Sequence, residues 1–152
     1  MNPVRNSAKA LIVENNNLLL LKHVDQLGFW YTIPGGGQNP GETLVEALNR
    51  ECLEEIGVEV EVGDLQYIRE YIGINHEFHE HDGDAHQVEF LFECSIRDGN
   101  TPRFGSSPDE SQIDIEWMPL PDIGNIRIYP KILAKILVDR DLDTSRYLGD
   151  VN

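Results

Sequence analysis

Two cysteines, Cys52 and Cys94, are all that 152 residues contain, and no CxxC pairing links them. That scarcity argues against a disulfide framework or a cysteine zinc site and fits buried thiols in a cytosolic protein. Basic residues are few as well, 12 Lys and Arg against 27 Asp and Glu, for a formal charge of -15. Charge so diluted cannot form the footprint of a nucleic-acid backbone binder or a patch for anionic lipid. Uninterrupted apolar runs stop at four residues, as in Leu18 to Leu21, where a membrane helix needs ~18–20. The opening MNPVRNSAKALIVENNN lacks the apolar stretch and small-residue cleavage site of a signal peptide. Repeats, linkers and low-complexity segments are also absent, so residues 1–152 are expected to form one domain.

What is present suffices for a core, with 40% hydrophobic and 8% aromatic residues. If the ligand of so acidic a chain is itself an anion such as a nucleotide, metal ions must carry it; a well-solvated or salt-adapted surface is the other reading of the acidity. Residues 8–13 and 18–24 are strand-length apolar runs around Asn15-Asn16-Asn17, which tolerates positive φ and implies a hairpin. PGGGQNPGE, from Pro34 to Glu42, is too glycine-rich for regular structure. Thr43 to Ile56 then reads as a helix with Leu44, Val45, Leu48, Cys52 and Ile56 on one stripe and Gly57 as its stop. Strands are expected at 58–62, 65–74, 86–97 and 113–120. In the third, Val88, Phe90, Phe92, Cys94 and Ile96 face one way, and Leu91 implies a partly covered opposite face. A last helix runs from Pro130 to about Arg140 with Ile132, Leu133, Ile136 and Leu137 inward. The order predicts an α/β domain, a mixed β-sheet between helices.

The chemistry concentrates in the helix that follows the glycines. At about 100° per residue from Leu44, Glu51 falls near -20°, Glu55 near +20° and Glu54 near -80°. Three carboxylates therefore crowd one edge beside the buried stripe, with Arg50 as the only neighbouring base. Such hard oxygen ligands suit Mg2+ or Mn2+, which keep waters and share coordination with substrate phosphates. Gly35, Gly36 and Gly37 let the backbone turn tightly and present N–H and C=O groups to phosphate or metal.

The segment from Gly36 to Val58 resembles the signature of the Nudix hydrolases: Gly, five residues, Glu, seven residues, Arg-Glu, aliphatic, any, Glu-Glu, any, Gly, aliphatic. Gly36, Glu42, Arg50, Glu51, Glu54, Glu55, Gly57 and Val58 occupy those places, and Cys52 stands at an aliphatic one. The resemblance implies an α/β/α sandwich and hydrolysis of a nucleoside diphosphate linked to another group, with Mg2+ as cofactor and Mn2+ as a possible substitute. It implies metal ligation by Glu51, Glu54, Glu55 and the Gly35 carbonyl, with Glu42 and Arg50 as braces. Catalysis would then rest on Glu51, Glu54 and Arg50, with the general base a helix glutamate or Glu110 in SSPDESQ.

Gly36, Gly37, Arg69 and Arg103 are candidates for substrate phosphate, with Lys22 a further base to watch. REYIG, HQVEFLFEC and EWMPL resemble, more loosely, the ADP-ribose hydrolases, so ADP-ribose or a nucleoside-diphosphate sugar is the expected substrate and a homodimer is possible. The competing expectations are removal of oxidised nucleoside triphosphates, a non-catalytic nucleotide sensor, and a calcium-binding acidic protein. The loop from His76 to His86 reads as a solvated hairpin near the site mouth, with a second metal site as its other reading. Phe29, Trp30 and Tyr31 read as a core strand or as a stacking surface for a base.

Overall fold

The computed structural model describes residues 2–108, 110–139 and 145–152. Strands β1 (Arg5–Glu14) and β2 (Asn17–Asp25) form the expected hairpin. Asn15 and Asn16 hold φ at 50° and 63°, the left-handed pair that suits a two-residue turn between twisted strands. β3 (Gly28–Thr32) pairs back along β2, and β4 (Gly35–Gly37) runs beside the first half of β1. Part of the glycine stretch is thus regular structure, contrary to what its composition suggests. Glycine permits it: at Gly35, with φ 130°, a Cβ would stand 2.1 Å from the Ala8 carbonyl oxygen.

Helix α1 (Leu44–Ile56) starts where expected. The Thr43 hydroxyl accepts the Glu46 N–H at 3.1 Å, and Gly57 ends the helix at φ 71°. β5 (Val60–Ile72) fuses the two strands expected at 58–62 and 65–74. Its register slips at Val62 and Leu65, so Gly63-Asp64 makes a bulge and not a turn. A 3-10 turn (Gly73–Asn75) and the four-residue helix α2 (His79–Asp82) lead into β6 (His86–Ile96). β7 (Gln112–Pro119) pairs with β2. β8 (Ile128–Tyr129) and β9 (Tyr147–Asp150) are short parallel additions that hydrophobic patterning does not reveal. The sheet order is β8-β3-β2-β1-β6-β5-β9, with β4 also on β1 and β7 also on β2.

Helices cover both faces. Leu48, Cys52 and Ile56 of α1 pack on Ala8, Ala10, Ile12, Leu19 and Leu21. Leu133 and Ile136 pack on Leu11, Leu18, Leu20 and Leu91 from the other side. The four leucines of β2 therefore divide between two cores, which is why the strand reads as a continuous apolar run. Leu91 is fully buried while Phe90 and Phe92 are only half-buried, so both faces of β6 are covered, as its irregular pattern implied. The last helix begins two residues later than expected: Ile132–Ala134 (α3) passes into a π-helical segment, Lys135–Asp139, and the expected end at Arg140 lies outside the described residues. No helix among the described residues is long and apolar enough to cross a membrane.

Both thiols are buried, and burial pushes the Cys52 thiol well above its usual range and that of Cys94 up to about 12. Thiolate is the reactive form. Native protein at pH 8 should resist iodoacetamide and label at two sites only after denaturation, read by intact mass. Labelling of either cysteine before unfolding would contradict this packing.

Candidate active site

The glycine strand and the acidic edge of α1 meet directly. Gly35 donates its N–H to Glu55 Oε1 at 2.8 Å, and any Cβ at Gly36 would stand 2.5 Å from the Glu51 carboxyl carbon. Arg50 ties the two elements together. Its Nε and Nη2 fork onto Glu42 at 2.7 and 3.0 Å, Nη2 also reaches the Gly37 carbonyl at 2.8 Å, and Nη1 donates to Glu51 Oε1 at 2.9 Å. Glu54 Oε2 lies 3.5 Å from the same Nη1. Arg50 and then the Asn39 N–H hold the Glu42 carboxyl below its ordinary range. Arg50 thus links Glu42, Glu51 and the Gly37 carbonyl through forked hydrogen bonds, and one guanidinium offsets the like charges along the helix edge.

The edge is not uniform, however. Glu55 is 1% exposed and joins the buried face with Ala47, whereas Val45, expected inward, is 45% exposed. The helix rotates towards Glu55 because the Gly35 N–H gives that carboxylate a partner inside. The donor types, the carboxylates of Glu51 and Glu54 together with the Gly35 carbonyl, suit a hard divalent cation chemically. Among the described residues no three acid, imidazole or thiol groups converge as a finished cage, and the Lys9 ammonium sits 3.2 Å from the Gly35 carbonyl oxygen.

Several expected residues fall elsewhere. Arg103 is exposed at the C-terminal end of α1, its side chain against Gly57 and away from the glycine strand, because the 103–107 loop caps the Glu54, Glu55 and Ile56 carbonyls. Glu110 lies on an exposed turn beyond that loop. Lys22 sits 4.1 Å from the Phe29 ring centroid. The histidines of the 76–86 loop do not converge: His76 pairs with Asp150, His86 with Glu70, and His79 with its own turn.

Arg69 does face a cavity, of about 350 Å³, bounded by Trp30, Tyr71, Phe78, Tyr129 and the Asp25–Arg127 fork. Trp30 and Phe78 both meet the Tyr129 ring edge-on, and His23 stacks behind Trp30 at 4.0 Å. Burial, with Asp82 beside it, pushes the Tyr71 phenol up to about 12, so it stays protonated and donates to Asp82. Trp30 Nε1 and Arg69 Nε are buried without a hydrogen-bond partner among the described residues. Of the three aromatics 29–31, Tyr31 is core, Trp30 lines the cavity and Phe29 is exposed. Tyr129, Arg127 and Asp25 carried no sequence signal, because only the parallel pairing of β8 with β3 brings Tyr129 near Trp30. The 76–86 loop is more than a solvated hairpin, since Phe78, His81 and Asp82 reach the cavity.

One rung of the sheet connects cavity and glycines. Arg69 lies opposite Glu89, Glu89 opposite Ser7, and Ser7 opposite Gly37. Three strand spacings make this about 14 Å.

Human 8-oxo-dGDP phosphatase NUDT18 (Homo sapiens) is 41% identical over 59 residues, covering 38% of this chain and 18% of that protein. Nucleoside triphosphatase NudI of Enterobacter sp. (strain 638) is 42% identical over 55 residues, 34% of this chain and 39% of that protein. The matched stretch spans less than half the length of either relative. A NUDIX hydrolase structure from Nitrosomonas europaea aligns over 99% of this chain and 79% of its own with TM-score 0.70 at 19% identity, a likeness of fold. Residues 3–138 match the family model described as NUDIX domain. With α1 and its glycine strand in the arrangement above, this chain belongs to the NUDIX family.

Proposed function

We propose that this chain hydrolyses a phosphoanhydride bond of a nucleotide with the help of a divalent cation, Mg2+ or in its place Mn2+. The observation that carries this is the abutment of the Glu51–Glu55 edge on Gly35 and Gly36 under the Arg50 brace. In the reaction, oxygen from water forms a bond to phosphorus while the bridging P–O bond breaks. Glu51, Glu54 and the Gly35 carbonyl would hold the cation, which supplies charge neutralisation and water activation when bound. Glu42, through Arg50, orients the Glu51 carboxylate. The water's proton passes to a carboxylate, Glu51 or Glu54 on the helix or Glu110 on the turn.

The aromatic cavity takes the base-bearing half, and the ribose and phosphates extend from it towards the helix edge, about three strand spacings away. The names of the curated relatives favour a nucleoside triphosphate or diphosphate. ADP-ribose is the second reading, because REYIG and HQVEFLFEC, the segments resembling its hydrolases, are the paired strands that supply Arg69, Tyr71 and Gln87 to the cavity.

A panel of nucleoside triphosphates, oxidised triphosphates, diphosphates and ADP-ribose, each with Mg2+ and with Mn2+, separates these. Pyrophosphate or phosphate with a nucleoside monophosphate supports the first reading, and AMP with ribose 5-phosphate supports the second. No turnover of any substrate would leave a nucleotide-sensing module and overturn the proposal.

A further inference from the structure

Strand β9 lies at the sheet edge, and one carboxylate fastens it. Asp150 Oδ1 accepts the Ile72 N–H at 2.9 Å and His76 Nε2 at 2.6 Å, and its Oδ2 accepts Asn75 Nδ2 at 2.8 Å. Burial alone would raise this carboxyl's pKa, but the bonds from Asn75, His76 and Ile72 together hold it below its ordinary range. All three partners belong to the turn that ends β5, so Asp150 joins the edge strand to the mouth of the cavity.

The residues just beyond Asp150 reach the cavity itself. The Val151 N–H donates to the Glu70 carbonyl at 3.1 Å, and the Val151 carbonyl receives Arg69 Nη1 at 2.5 Å. Arg69 Nη2 is held by Glu89, so the guanidinium is gripped from two sides, 5.7 Å from the Tyr71 ring centroid. His76, fixed by Asp150, stacks on the other neighbour of that grip, Tyr71, at 5.1 Å and 13° between planes. Asn152 lines the cavity.

We propose that Asp150 is a positioning residue for substrate: it seats the end of β9 so that Asn152 forms part of the cavity wall, and through Val151 and His76 it fixes Arg69 and Tyr71 against the base-bearing half of the nucleotide. The inference rests on the functional reading above and deepens it. Phosphate chemistry takes place at α1, about three strand spacings away, so Asp150 affects how well the nucleotide is held and sorted, not how fast the held nucleotide reacts. The orphaned Arg69 Nε and Trp30 Nε1 are the donors whose alignment the wall preserves.

The test is steady-state hydrolysis of the best purine and best pyrimidine nucleotide by wild type, Asp150→Ala and Asp150→Asn. Asp150→Ala should raise KM for the preferred base by about tenfold with kcat within about threefold, and the purine-to-pyrimidine ratio of kcat/KM should shrink. Asp150→Asn keeps an acceptor for Ile72 and should fall between. If Asp150→Ala does not fold, Asn75→Ala and His76→Ala each remove a single bond to the same carboxylate and should shift KM in the same direction by less. Unchanged KM and selectivity, or a loss confined to kcat, would overturn the positioning role while leaving the functional reading intact. A wild type that turns over no nucleotide would overturn both.

Discussion

Glu54→Gln is expected to lower kcat by ~10²–10⁴ while the protein melts within a few degrees of wild type, and Glu55→Gln is expected to lose stability as well as turnover. The two neighbours differ in surroundings, not in chemistry. The Glu54 side chain is 37% exposed and its contact with Arg50 is a loose 3.5 Å, so its neutral amide is tolerated by the fold. A missing carboxylate charge at a cation-assisted phosphoryl centre costs about 3–5 kcal/mol of transition-state stabilisation, which is the quoted rate range. Glu55, by contrast, is 1% exposed and accepts the Gly35 N–H. An amide there keeps one acceptor but brings a buried NH2 group that needs partners of its own, worth roughly 1–3 kcal/mol. For a chain of this size that is several degrees of melting temperature. Thermal unfolding and initial rates on the same preparations decide it. Glu54→Gln with more than a third of wild-type activity would remove the helix edge from the chemistry, and Glu55→Gln melting with wild type would contradict its buried role.

Gly35→Ala should be still more damaging to the fold, by about 3–5 kcal/mol. The residue holds φ at 130°, and its Cβ would lie 2.1 Å from the Ala8 carbonyl oxygen and 2.8 Å from the Lys9 Cα. Both are backbone atoms of the central strand, so relief requires β4 to separate from β1. Left-handed strain of about 1–3 kcal/mol then adds to an overpacking cost of similar size. Separation also withdraws the Gly35 N–H from Glu55 and the Gly37 carbonyl from Arg50, so activity should vanish with the pairing. Gly41→Ala is the control: φ is 89° but no atom lies within 4 Å of its Cβ, and only the backbone cost of about 1–2 kcal/mol applies. Equal urea midpoints for the two variants would show that the β1–β4 contact is not tight.

The half of the site proposed for catalysis was legible in the sequence as a cluster because its residues lie within one helix and the loop before it. Fixed offsets along α1 place Glu51, Glu54 and Glu55 on one edge whatever the rest of the chain does, and Thr43 and Gly57 mark its ends. Burial along that edge was not legible, since the Gly35 N–H that draws Glu55 inward arrives from β4. The recognition half was mostly hidden for the same reason. Arg69 and Trp30 stood out by residue type, but Tyr129, Arg127 and Asp150 take their places through two- and four-residue parallel strands that leave no periodicity. Arg103 illustrates the converse error: its charge suggested phosphate, yet its loop is committed to closing the end of α1.

The parallel pairing of β1 with β6 also bears on how the chain is made. Arg5 lies opposite Gln87 and Ile12 opposite Cys94, while the leucines of β2 wait for β7, Leu18 opposite Met118. During synthesis the first hairpin, with its run of four leucines, emerges long before either partner has been translated. Contacts so distant along the chain are slow to close, and unpaired apolar strand edges associate readily with other chains. The nascent hairpin therefore keeps apolar strand edges unpaired over most of its synthesis, and slower decoding downstream of residue 25 would lengthen that exposure, favouring aggregation without altering a single native contact.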